Sequence, residues 1–86
     1  MYSARFAKEI IVTEHARARM ADRDIDEPML ADLIETGNLR RIDDKYMFLF
    51  KHFSARNDNL VCAAAVEEDR LVVKTVMINW TLREPT

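Results

Sequence analysis

The chain has one glycine, one cysteine and two histidines in 86 residues. A lone glycine, Gly37, cannot build a phosphate-binding glycine loop. A lone cysteine, Cys62, excludes an intramolecular disulfide and a multi-cysteine zinc cage. His15 and His52 lie 37 positions apart, so there is no His-x-x-x-His pair, and neither a metal nor a cofactor is expected. Long apolar runs are also missing. The longest, Leu60 to Val66, has seven residues, whereas a bilayer-crossing helix needs about 20. No apolar signal core follows Met1–Arg5. The expectation is a cytoplasmic protein with no membrane partner.

Hydrophobic residues make up 49% of the chain and charged ones 33%, a globular balance that excludes a disordered tail. At 10.1 kDa there is room for one core, so residues 1–86 read as a single domain. The net charge of −2 argues against a binder that uses its whole surface for nucleic acid. The charge is nevertheless segregated along the chain. Asp26 to Thr36 carries Asp26, Glu27, Asp32 and Glu35 with no base, whereas Arg40 to Arg56 carries five bases against Asp43 and Asp44.

Lys8 to Val12 reads as a short extended lead-in. Thr13 offers a hydroxyl N-cap, Glu14 suits the first helical turn, and residues 14–23 are good helix formers. Asp24 takes a left-handed stop position. Asp26 caps a second helix over 26–36, which tolerates Pro28 in its first turn and carries a Met29, Leu30, Leu33, Ile34 stripe. Gly37 then suits a left-handed C-cap. Beyond it the period changes from 3.6 to 2. Strands are expected at 39–42, 46–53, 60–66 and 71–80, joined by short polar turns. The expected fold is therefore α+β, two N-terminal helices packed on a four-stranded antiparallel β-meander.

Two residue groups invite chemistry. His15, Arg19 and Arg23 repeat every four residues along the first helix. They fit a solvated helix face with Arg19 paired to Asp22, or else a neutral base with arginines that hold a phosphate. Lys45, Tyr46, Lys51, His52 and Arg56 interleave charge and aromatics on a hairpin. That fits RNA contact by charge and stacking, or a core face of Tyr46, Phe48 and Phe50 with ordinary charged hairpin ends. Cys62 among alanines reads as a small buried hydrophobe.

Thr13-Glu14-His15-Ala16-Arg17-Ala18-Arg19-Met20, with Arg23 and Ile25, resembles the T-x-H-A-x-x-R-M-x-x-R-x-I opening of a small bacterial domain family of unknown function. That family is grouped with BrnT and RelE-like toxins in the barnase–EndoU–colicin–RelE-like fold. In this chain Asp24 stands where the family usually has glycine. The resemblance implies a toxin-type, metal-independent ribonuclease of a toxin–antitoxin system. An adjacent 2′-hydroxyl would attack the phosphate, with RNA as substrate and an antitoxin protein as partner. It casts His15, Arg19, Arg23, Lys51 and His52 as the catalytic set, and Arg40, Arg41, Lys45, Tyr46 and Arg56 as RNA-binding. The alternative is a non-catalytic interaction module of the same fold.

Overall fold

The computed structural model describes residues 1–81. Eight elements follow in order: β1 (Tyr2–Ser3), β2 (Lys8–Val12), α1 (Glu14–Asp22), α2 (Glu27–Thr36), β3 (Asn38–Arg41), β4 (Tyr46–His52), β5 (Leu60–Glu67) and β6 (Leu71–Trp80). Both helices start as their caps dictate. Thr13 Oγ1 accepts from the Ala16 amide at 3.1 Å, and Asp26 Oδ1 accepts from the Met29 amide at 2.9 Å. Asp24, between the helices, has φ 54°, the left-handed turn expected of it.

The sheet corrects the expected four-stranded antiparallel meander. It has six strands in the order β1-β2-β6-β5-β4-β3 and is mixed. The β3–β6 meander is present, but β2 pairs with β6 in parallel, Ile10 beside Leu71 and Val12 beside Val73, and β1 pairs antiparallel with β2. The physical reason lies in β6, which is too apolar to form an edge. Its Leu71, Val73 and Val76 are fully buried, and an open edge there would leave backbone donors unpaired beside the core. The lead-in at 8–12 supplies the missing partner and buries Ile10.

Both helices lie on one face, α1 against β6 and α2 against β4 and β5. Ala16, Met20, Leu30, Leu33 and Ile34 meet Met47, Leu49, Val61, Ala63, Ala65, Val73 and Val76 in one core. Burial of this apolar area is the main stabilising contribution.

Gly37 differs from the expected left-handed cap. Its φ is −67° and ψ 162°, ordinary extended backbone. Glycine is needed there for close approach. A Cβ would collide with the Leu33 carbonyl oxygen and stand 3.2 Å from that of Phe50. The carbonyls at the end of α2 are satisfied from outside the helix: Arg5 Nη1 donates to Ile34 O at 3.0 Å and to Gly37 O at 2.7 Å.

Candidate nucleic-acid interface on the helix-free face

Residues directly opposite one another in a sheet share a face, so the register places the strand side chains. Met47 and Leu49 point into the core, while Tyr46, Phe48 and Phe50 point away from the helices. The reading of Tyr46, Phe48 and Phe50 as the core face is thereby corrected. Phe48 pairs laterally with Ala64 and Arg40, and Phe50 with Cys62 and Asn38.

Two irregularities in the β5–β6 pairing shape this face. Ala64 pairs with Thr75 but Ala65 with Val73, which leaves Lys74 as an extra, bulged residue. Val73 and Val76 can then both turn inward while Lys74 stands exposed on the opposite side. Near the end of β6, Cys62 pairs with Met77 but Leu60 with Trp80, and Asn79 takes φ 52°. The shift brings Trp80 back onto the helix-free face. Its ring centroid lies 5.4 Å from that of Phe48 and 5.0 Å from that of Phe50. Asn79 Oδ1 fixes the bend by accepting from the Asn59 amide at 3.1 Å.

Among the described residues, the face built by β3–β6 thus carries Tyr46, Phe48, Phe50 and Trp80, with Arg40, His52 and Lys74 as its ionisable basic residues and no Asp or Glu. Tyr46 is 51% exposed and Ile42, at the end of β3, 59%. Cys62 lies fully buried at the level of Phe50, and desolvation pushes its thiol up to about 12, so it is not a nucleophile at neutral pH.

The structure divides the residues proposed from sequence among several places. His15 is exposed on α1. Arg19 beside it donates to Asp22 at 3.1 Å, the pairing of a solvated helix face. Arg23, at the end of α1, donates to the Val76 carbonyl at 2.8 Å and ties α1 to β6. Lys51 is on the helix-covered side, bonded to Asp32 at 3.0 Å and to Thr36 Oγ1 at 2.7 Å, so it joins β4 to α2. Hydrogen bonds from Thr36 and Lys51 hold the Asp32 carboxyl below its usual range. Arg41 is on that side too, at 2.6 Å from Glu67, whose pKa is lowered chiefly by this contact. Lys45 sits in the β3–β4 turn opposite Glu68 at 3.7 Å.

Arg56 has a structural task. Its guanidinium contacts Asp58 at 2.6 Å and donates to the Arg23 and Asp24 carbonyls at 2.9 Å each. It clamps the β4–β5 turn to the α1–α2 junction and lowers the Asp58 pKa by hydrogen bonding. Arg40, Tyr46 and His52 are the members of the sequence-derived set that share the helix-free face. Sequence reasoning passed over Phe48, Phe50, Lys74 and Trp80 as site residues. The signal for Lys74 was a single lysine inside a β-branched strand, and for Trp80 an aromatic four residues after the last buried valine.

Among the described residues no cluster of His, Cys, Asp or Glu is arranged to hold a metal, and no helix is long and apolar enough to cross a membrane.

Two helices covering one face of a mixed sheet, with aromatics and basic residues on the other, define a small domain that presents an open sheet platform. Residues 12–78 match the domain of unknown function DUF4258, and the chain belongs to that family. No match was found among curated proteins or among solved structures.

Proposed function

We propose that this domain binds single-stranded RNA on the helix-free face of its sheet. The observation that supports this most is the contiguous Phe48–Phe50–Trp80 cluster, with Tyr46 beside it, on a face where the described residues of β3–β6 include Arg40 and Lys74 and no acid. Exposed aromatic faces stack unpaired bases, and flanking cations take the phosphates. A net charge of −2 for the chain fits a local site of this kind, because most of the acids stand on the helices and turns, with Glu9 in β2 and Glu67 in β5 as exceptions. The choice of RNA over DNA draws on the resemblance of the α1 motif to the opening of a domain family of unknown function that is grouped with toxin-type RNA-cleaving domains.

The test is anisotropy of an end-labelled RNA octamer across a salt series. Two phosphate contacts, to Arg40 and Lys74, give a log–log salt slope of about −1.4, since each contact to a single strand contributes about −0.7. Trp80→Ala should weaken binding roughly 5- to 150-fold, the equivalent of about 1–3 kcal/mol for one stacked base. Binding that is unaffected by this substitution contradicts the proposal.

RNA cleavage is the second reading, and one observation favours it. His52 is exposed at the end of the aromatic row, on the same side as Phe48 and Phe50. An imidazole there suits general-base removal of the 2′-hydroxyl proton as the 2′-oxygen bonds to phosphorus and the 5′-oxygen leaves. Cleavage would yield a 2′,3′-cyclic phosphate end, and His52→Ala should lower its rate about 100-fold or more with RNA affinity little changed. Intact RNA after long incubation with wild type leaves the domain as a non-catalytic binding module.

A further inference from the structure

The Ala63-Ala64-Ala65 run puts a single methyl group at the centre of the aromatic face. Ala64 is half-buried on the helix-free side, between Phe48 of β4 and Thr75 of β6. Where the neighbouring β4 positions carry rings, this position carries one carbon, so the surface dips. The result is a cavity of about 290 Å³ bounded by Ile42, Tyr46, Phe48, Ala64, Val66 and Lys74. Its walls are almost wholly carbon, and the Tyr46 and Lys74 side chains are among those that line it. Lys74 reaches it because the β-bulge makes this residue extra in the register.

Small-molecule sites run from about 300 Å³ upward and combine apolar walls with a few polar groups. A cavity at the bottom of that range suits one flat ring system. The cation beside it calls for an anion attached to that ring. A nucleotide supplies both within one residue, a base for the apolar walls and a phosphate for Lys74.

We propose that this cavity takes one unstacked nucleobase, with the attached phosphate bound by Lys74. The RNA reading above supplies the ligand's chemistry, and the cavity adds to it a defined single-nucleotide subsite. Stacking on Phe48, Phe50 and Trp80 then holds the neighbouring bases without regard to sequence, and the cavity fixes the register of the strand.

The experiment titrates the isotopically labelled full chain with adenosine and uridine 5′-monophosphates, following backbone amides by NMR. The free nucleosides and inorganic phosphate are run separately, and the RNA octamer is run on the same samples. Saturable shifts concentrated at 42–48, 64–66 and 72–75 are expected with the monophosphates. Inorganic phosphate alone should not reproduce them. Ala64→Leu fills the cavity and should weaken mononucleotide binding at least 10-fold. Lys74→Gln, an exposed substitution that leaves the fold intact, should abolish the advantage of the monophosphate over the nucleoside.

If the octamer binds while Ala64→Leu binds it within twofold of wild type and mononucleotides leave the cavity amides unmoved, the subsite is overturned and the RNA platform stands. If mononucleotides map to the cavity while the octamer fails to bind, the subsite stands and the RNA platform fails. Equal shifts from inorganic phosphate, or cavity shifts produced by an acidic aromatic peptide and not by nucleotides, overturn the subsite.

Discussion

The two faces of this sheet are built by the same strands and differ in nearly every other respect. On the helix-covered side Met47, Leu49, Val61, Ala63 and Val73 are almost wholly buried, and the cations at its rim, Lys51 and Arg41, are committed to Asp32 and Glu67. On the helix-free side Phe48, Phe50 and Trp80 are half-buried, Tyr46 is exposed, and Lys74 projects from a bulge. One face therefore uses its apolar side chains to hold the fold, and the other leaves them where a ligand can reach. The paired charges at the rim of the covered side secure elements to each other: Lys51 joins β4 to α2, and Arg41 joins β3 to β5.

Substitutions on the two faces should separate stability from binding. The largest expected effect is Leu33→Ala on α2, a fully buried side chain, at about 2–5 kcal/mol in denaturant melts. Phe48→Ala should cost less, because that ring is only partly buried. Equal losses would erase the distinction between the faces.

The Arg56 clamp comes next. Asp58→Asn removes a charge-assisted pair whose side chains are only 14% and 13% exposed, and should cost roughly 1.5–3 kcal/mol. Its pH dependence sharpens the point. Hydrogen bonding to Arg56 holds the folded Asp58 pKa below its unfolded value of about 4. The clamp therefore stabilises fully above that value, and its contribution is lost as pH falls through the folded pKa. Asp32, Asp43 and Glu67 are lowered in the same direction by their own hydrogen bonds. Desolvation works to raise Glu35, but hydrogen bonds from Ser3, Ala4 and Arg5 outweigh it. Melting temperature should fall steadily between about pH 5 and pH 2, and less steeply in Asp58→Asn than in wild type.

Gly37→Ala is the smallest of the stability tests, at about 1–3 kcal/mol from overpacking against the Leu33 carbonyl. Gly37→Asn should be no milder, since the obstacle is the Cβ and not the sign of φ. A milder asparagine would restore the left-handed cap expected from sequence.

Local signals were legible where one residue fixes one backbone group. Thr13, Asp24 and Asp26 are examples, and both helices fall within a residue of their expected limits. The alternation in β4 gave its period but not its phase, because both phases are apolar: Tyr46, Phe48 and Phe50 alternate with Met47 and Leu49. What selects the phase is which side α2 covers, a long-range fact. The parallel β2–β6 pairing was hidden for a related reason. It joins segments some 60 residues apart, and five residues of strand carry little pattern of their own. Of the candidate site, Tyr46 and His52 were legible as part of an aromatic-basic hairpin, and Arg40 was named only through the family resemblance. The parts played by Lys74 and Trp80 were not, because each depends on an irregularity in pairing that no periodicity announces.

The account places RNA binding on the sheet and not on α1, and Lys74→Gln against Arg19→Gln tests that most directly. Each variant removes one positive charge, from the helix-free face in one case and from the α1 stripe in the other. Melting temperature is measured beside octamer affinity over a salt series. The account predicts that Lys74→Gln stays within about 0.5 kcal/mol of wild-type stability, weakens binding and makes the salt slope shallower by about 0.7, while Arg19→Gln leaves affinity within twofold. The reverse result, affinity lost with Arg19 and kept without Lys74, would contradict it and return the site to His15, Arg19 and Arg23.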